Sequence, residues 1–342
     1  MTKTKAIWLG IGYVLIFALF FGSYWYSKEL EPLAPGPLTY ERVSRRSSLD
    51  AVLRTLQQKG YIRSANGLAF LARIQNRSRL VAEGTYQFRA GMTANEIFAA
   101  LEKPVRQMVR LPETNWAQRN ANLLEKAGVC SSKDYMKQVR NPQEFQDKVP
   151  FPLPKTSLEG YLYPDTYDLP PKMGAEAVIL RQLKNFEKRV WNGLGQPRDL
   201  DTVLRKASLV ELEVARDEER AVVAGVIENR LATGMRLQID ASINYGIQKW
   251  RPLKRREYQD IKSPYNLYLV DGLPPTPICN PTVKSIQAVL KPAKHNYLYY
   301  VAMPSGESRF AASIEEHDAN FKARKAAQRA LKASQSSERD AS

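Results

Sequence analysis

The sequence predicts an α+β protein with three parts: an N-terminal transmembrane helix, a small α+β module, and a larger mixed α+β domain whose candidate catalytic Glu sits on a helix. Three observations predict it. Residues 6–25 form an uncharged apolar run. Up to about residue 111, short helical patterns with hydroxyl caps alternate with short strand patterns. Beyond residue 158, longer helical patterns are separated by loops rich in Pro, Tyr and Asn, and one apolar stripe carries a carboxylate.

Residues 1–27 read as a cytoplasmic tip and an uncleaved signal anchor. About 20 residues at helical rise cross a bilayer core. Lys3 and Lys5 precede the run, which puts the N-terminus in the cytoplasm and the body outside it. Tyr24-Trp25-Tyr26 stands where a cleavage site would need small residues. Residues 28–37 include Glu-Pro-Leu-Ala-Pro-Gly-Pro, a stiff spacer. In the module at 38–111, Ser47-Ser48-Leu49-Asp50 opens a helix with Leu49, Val52, Leu53 and Leu56 on its apolar face. Residues 84–88 alternate as a strand. Thr93 and Glu96 have capping-box spacing ahead of Ile97, Phe98 and Leu101, and residues 105–111 form a second strand.

Residues 112–157 read as a connecting segment, with a helix at about 114–127 closed by Gly128. The second domain spans 158–325. Its helices fall at 175–191 and 199–232, the latter interrupted at Asp217-Glu218-Glu219 and stopped at Gly234. Residues 263–281 are a loop and 298–303 a strand. From Phe321 a basic helix is expected, fading into a basic and polar tail at 326–342 that should be disordered.

Composition narrows the partners. The chain has 342 residues, 44% hydrophobic and 25% charged, which suits globular domains. A net charge of +16 favours anionic surroundings: membrane lipid, an acidic polymer or nucleic acid. The basic residues are spread along the chain and the anchor puts the body outside the cytoplasm, both of which argue against nucleic acid. Cys130, Cys279, His295 and His317 lack metal-site spacing, so neither metal nor cofactor is expected. A Cys130–Cys279 disulfide fits the count, with two buried free thiols favoured.

Glu211 is the residue out of place. Leu200, Val203, Leu204, Ala207, Glu211, Val214 and Ala215 share one helical stripe, and only Glu211 is not apolar. A carboxyl there either pairs or borders a cleft. In the cleft, desolvation raises its pKa and lets it donate a proton to a glycosidic oxygen. The pairing alternative offers Arg205, Arg216 and Arg230, and from pattern alone it is the commoner outcome. Glu213 lies about 200° around the helix and is expected to be solvated or bonded to a loop.

Residues 207–246 then supply a resemblance. Ala207-Ser208-Leu209-Val210-Glu211-Leu212-Glu213, Glu219-Arg220, Asn229-Arg230-Leu231, Gly234-Met235-Arg236-Leu237-Gln238-Ile239-Asp240 and Tyr245-Gly246 follow in order. With Leu158-Glu159-Gly160, Pro164-Asp165-Thr166-Tyr167, Tyr265-Asn266 and Gly272-Leu273-Pro274-Pro275, this set resembles the YceG-like endolytic murein transglycosylases. Leu212, Val214, Thr276 and Cys279 depart from the pattern.

The resemblance implies a LysM-like identity for the 38–111 module and a transglycosylase catalytic domain at 158–325. It implies a lyase of the bacterial inner membrane, single-pass, with its catalytic domain outside the cytoplasm. The implied reaction cleaves the MurNAc–GlcNAc bond within peptidoglycan glycan strands and leaves 1,6-anhydro-MurNAc ends. Glu211, the first Glu of E-x-E, is the implied acid and base. The substrate supplies the nucleophile, so no second carboxylate is needed, unlike ordinary glycosidases. Asn229, Gln238, Asp240, Tyr245, Tyr265 and Asn266 are the candidates for substrate binding, each with internal loop bonding as the alternative; Asp240 could pair with Arg230. The implied partners are glycan strands, membrane lipid and the cell-wall synthesis machinery, with a role in ending nascent strands. The competing reading is a membrane-anchored, peptidoglycan-binding scaffold without catalysis.

Overall fold

The computed structural model describes residues 3–340, with side chains described for Trp8 and residues 11–331. Helix α1 (Lys3–Glu29) opens the chain. Among the described residues no helix is long and apolar enough to cross a membrane. The last turns of α1, at Ser23, Tyr24, Tyr26, Ser27, Lys28 and Glu29, are polar. The expected transmembrane anchor, and the single-pass inner-membrane placement built on it, are thereby overturned. Met1 and Thr2 of the expected cytoplasmic tip lie outside the described residues.

The chain divides into two units, residues up to Met108 with Asp168–Met173, and Val109–Tyr167 with Gly174 onward. The first unit adds β1 (Thr39–Val43), β2 (Ser47–Ser48), α2 (Leu49–Gln58), α3 (Ala65–Ile74), β3 (Leu80–Val81), β4 (Gly84–Phe88) and α4 (Ala94–Glu102). Strands β1 and β4 pair antiparallel from Thr39↔Phe88 to Val43↔Gly84, and β2 pairs with β3. Ser48 caps α2 by accepting from the Ala51 N–H, and Thr93 with Glu96 forms the expected capping box on α4. Leu53, Leu56, Tyr86, Phe88, Ile97 and Phe98 fill the core. Helix α3, which no strong periodic cue announced, begins at the Ser64 cap. It takes the C-terminal end of α1 through the Tyr26 hydroxyl, which donates to the Gly67 carbonyl at 3.1 Å.

The next elements are β5 (Met108–Leu111), α5 (Ala117–Lys126), α6 (Ser132–Val139), β6 (Asp165–Asp168) and α7 (Ala175–Phe186). Strands β5 and β6 pair. The stretch at 112–157 does more than connect: Trp116, Tyr135, Phe145 and Phe151 are fully buried in the second unit. Phe151, Tyr161 and Phe186 form an aromatic cluster with centroids 5.1–6.5 Å apart.

Beyond it come α8 (Leu200–Glu213), α9 (Arg220–Ala232), α10 (Asp240–Gly246), α11 (Glu257–Asp260), α12 (Val283–Leu290), the β7–β8 hairpin (Tyr299–Ala302, Ser308–Ala311) and α13 (Ile314–Asp340). Helices α8, α9 and α12 pack on one another, and α13 packs on the hairpin. The expected disordered tail is helical through Asp340; its Ala, Lys, Arg, Gln and Glu residues are good helix formers.

The blocks singled out in the sequence meet here. Gly160 adopts φ +89°, and a Cβ on it would overlap the Pro277 ring. The Asn280 side-chain oxygen accepts from the Gly160 and Leu162 N–H groups at 2.8 and 3.1 Å. Ser208, at the second position of the Ala-Ser block, accepts from the Ile278 N–H at 3.0 Å.

Candidate active site

The two carboxyls of E-x-E enter different surroundings. Glu211 is 5% exposed. Its Oε1 accepts from Arg220 Nη1 at 3.2 Å, and its Oε2 accepts from the Thr282 N–H and Thr282 Oγ1–H, both at 2.8 Å. Arg220 also donates to Ser285 Oγ at 2.5 Å and Asp217 Oδ1 at 3.0 Å. Its partner is therefore Arg220, not Arg205, Arg216 or Arg230. This buried pair ties the end of α8 to the starts of α9 and α12. The helix ends at Glu213 and Val214 is extended, so the local geometry changes just beyond the stripe.

Glu213 lines a cavity of about 560 Å³. Its Oε2 accepts from the Tyr300 hydroxyl at 2.8 Å. Burial pushes its carboxyl up to about 6; the Asp240 charge adds to the rise, while the Tyr300 hydrogen bond and the Arg230 charge oppose it. It is half-buried at the cavity wall, and its hydrogen bond goes to Tyr300 of β7 and not to the loop that follows α8. A carboxyl poised near 6 exchanges protons close to neutral pH, which acid–base chemistry needs.

Of the six candidate binding residues, the structure brings Gln238 and Asp240 to this cavity. Gln238 sits at φ +50°, fixed by its N–H donating to the Leu267 carbonyl at 3.1 Å. Its side-chain amide makes no hydrogen bond among the described residues. Asp240 accepts from the Tyr268 hydroxyl at 2.6 Å and the Tyr258 hydroxyl at 3.0 Å. Arg230 does not pair with Asp240. Its Nε and Nη1 donate to the Leu298 and Leu237 carbonyls, both at 2.6 Å, with the guanidinium over the Tyr299 ring. Amide, carboxylate and tyrosine hydroxyls around an aromatic wall are suited to polyhydroxylated ligands.

The other four hold loops. Asn229 Nδ2 donates to the His295 and Tyr297 carbonyls at 2.9 Å. Asn266 is fully buried and donates to the Tyr258 and Ile261 carbonyls. The Tyr245 hydroxyl reaches Glu159 Oε2 at 3.4 Å, and its ring meets the Tyr265 ring at 4.7 Å. Tyr265 shares a hydrogen bond with Thr276 Oγ1 at 2.9 Å.

Glu159 is a second buried carboxyl, pushed up to about 8 by desolvation and opposed by donors from the Ala117 N–H and Asn280. Its partners are structural: the start of α5 and the 263–281 loop. Among the described residues no group of three His, Cys, Asp or Glu could hold a metal ion. Cys130 and Cys279 are both free thiols, and burial pushes Cys130 up to about 12.

Glu213 and the tyrosines at 258, 268, 299 and 300 line this cavity without any sequence pattern having placed them there.

Comparison with known proteins places this geometry in a group. Residues 42–323 match the model of the YceG-like family. The chain is 28% identical to the endolytic murein transglycosylase of Bacillus subtilis (strain 168) over 321 residues, 87% of this chain and 88% of that protein. It is 26% identical to the endolytic murein transglycosylase of Streptococcus pneumoniae serotype 2 (strain D39) over 338 residues, 88% of this chain but 61% of that longer protein. A YceG-like protein from Listeria monocytogenes has a similar structure, with a TM-score of 0.56, 26% identity, and coverage of 83% of this chain and 99% of its own. Because the family match runs from β1 into α13 and takes in both units, the chain belongs to the YceG-like family.

Proposed function

We propose that this chain is a lyase, an endolytic peptidoglycan transglycosylase, with Glu213 rather than Glu211 as its acid and base. Membership of the YceG-like family and relatives named endolytic murein transglycosylases support the activity. The observation that carries the assignment is the Glu213 carboxyl at the cavity wall, raised to about 6 and held by Tyr300.

Protonated Glu213 gives its proton to the oxygen joining MurNAc C1 to GlcNAc. The C1–O bond breaks and that oxygen leaves as a hydroxyl. The Glu213 carboxylate then takes the proton of the muramyl C6 hydroxyl as O6 bonds to C1, closing the 1,6-anhydro ring. No water is consumed, and the carboxyl ends as it began. Tyr300 keeps the carboxyl in one orientation through both transfers. Glu211 serves as an ion-pair clamp beneath the site. In the same reading the first unit is a LysM-like module that holds glycan. Cleavage ends nascent strands, which places the work beside the cell-wall synthesis machinery.

Purified glycan strands digested by the full chain and weighed by mass spectrometry test the reading. Anhydro ends are expected, and Glu213→Gln should slow their release by about 10²–10⁴. Reducing ends would mean hydrolysis. Binding without any release would favour the scaffold, and an active Glu213→Gln enzyme would remove Glu213 from the mechanism.

A further inference from the structure

Ile314, His317, Phe321 and Arg324 all line the cavity that holds Glu213. Their spacing of three, four and three residues puts them on one stripe of α13. The stripe is chemically mixed. Ile314 and Phe321 are 48% and 40% exposed, high for large apolar groups beside a site. The His317 ring stacks on Tyr299 at 5.2 Å, and its Nδ1 is buried without a hydrogen-bond partner.

Arg324 is half-buried and makes no hydrogen bond or ion pair among the described residues. The other charged groups of the cavity wall are engaged. Glu213 is held by Tyr300, Asp240 by Tyr258 and Tyr268, and Arg230 by two carbonyls. Five N–H donors on a planar fork thus stand uncommitted beside exposed apolar surface. A partly desolvated guanidinium gains most from a planar carboxylate, which it can hold through two parallel bonds.

Resting on the transglycosylase reading, we propose that α13 reads the peptide substituent of the glycan. Phe321 and Ile314 take its apolar surface, and Arg324 binds a carboxylate of the peptide carried on the muramyl lactyl group. Arg324 is then a specificity-determining residue that makes peptide-bearing strands the preferred substrate.

The test compares uncrosslinked peptide-bearing strands with the same strands after their carboxylates are converted to primary amides. Cleavage is followed as kcat and KM with the active full chain, and binding is followed with the Glu213→Gln protein. The native strands should be favoured about tenfold, the equivalent of about 1.4 kcal/mol, chiefly through KM. Arg324→Gln should bring the ratio to about one, and Arg324→Lys should keep part of it, because a point charge retains attraction without the paired bonds. No preference in the parent protein, or a preference that survives Arg324→Gln, overturns the proposal. The binding arm separates the two readings: absent cleavage sinks the transglycosylase, while the carboxylate preference is still decided by binding.

Discussion

Glu211 and Glu213 show how far two positions on one helix can differ. Glu211 meets Arg220 and two donors of Thr282, and Glu213 meets one tyrosine and a cavity. The raised carboxyl fixes the sign of the pH dependence. The first proton transfer needs Glu213 protonated, so kcat/KM should hold below about 6 and fall as pH rises through it. Tyr300→Phe removes a donor that favours the charged form. It should raise the carboxyl further and move the fall to higher pH, as pH–rate profiles of the two proteins would reveal. Glu211→Ala takes from the Arg220 guanidinium its buried carboxylate and leaves it the half-exposed Asp217 and the Ser285 hydroxyl, and should cost about 1–3 kcal/mol of stability. The denaturant midpoint of that variant measures it; a midpoint equal to the parent's would remove the clamp from the account.

Among elements, the 263–281 loop and the residues just after it depend on small local conditions. Ser208 and Asn280 satisfy backbone N–H groups that would otherwise be buried without partners. Gly160 allows Pro277 to approach. Gly160→Ala forces a side chain onto a positive φ and into the Pro277 ring, and should destabilise by about 2–5 kcal/mol. Thermal unfolding of the variant checks the magnitude. Cleavage should fall with it at temperatures where the fold still holds, since the same loop carries Tyr268, which binds Asp240.

For the whole molecule, charge is the property that reaches beyond any one element. A net charge of +16 should draw strands whose peptides carry carboxylates, and the attraction should fade with salt. As ionic strength nears 1 M the Debye length shrinks to about 3 Å, so KM for native strands should climb while kcat changes little. A KM indifferent to salt would confine recognition to short-range contacts.

Much of this was legible along the chain. Ser48, Thr93 and Glu96 announced their helices because capping is a contact between residues three apart. The burial of Glu211 followed from its apolar stripe. The sequence blocks also marked residues that the fold joins, among them Gly160, Ser208, Asn229 and Asp240. Which carboxyl borders the cavity was not legible, since its walls come from α10, α11, the β7 strand and α13, all distant from α8 in sequence. Nor could spacing tell that Tyr245, Tyr265 and Asn266 would bond to loops instead of lining that space, or that residues 112–157 would enter the core. Local periodicity and caps belong to the sequence because they depend on neighbours a turn apart. The partner of a buried charge belongs to the tertiary structure, because only long-range packing decides which donor arrives beside it.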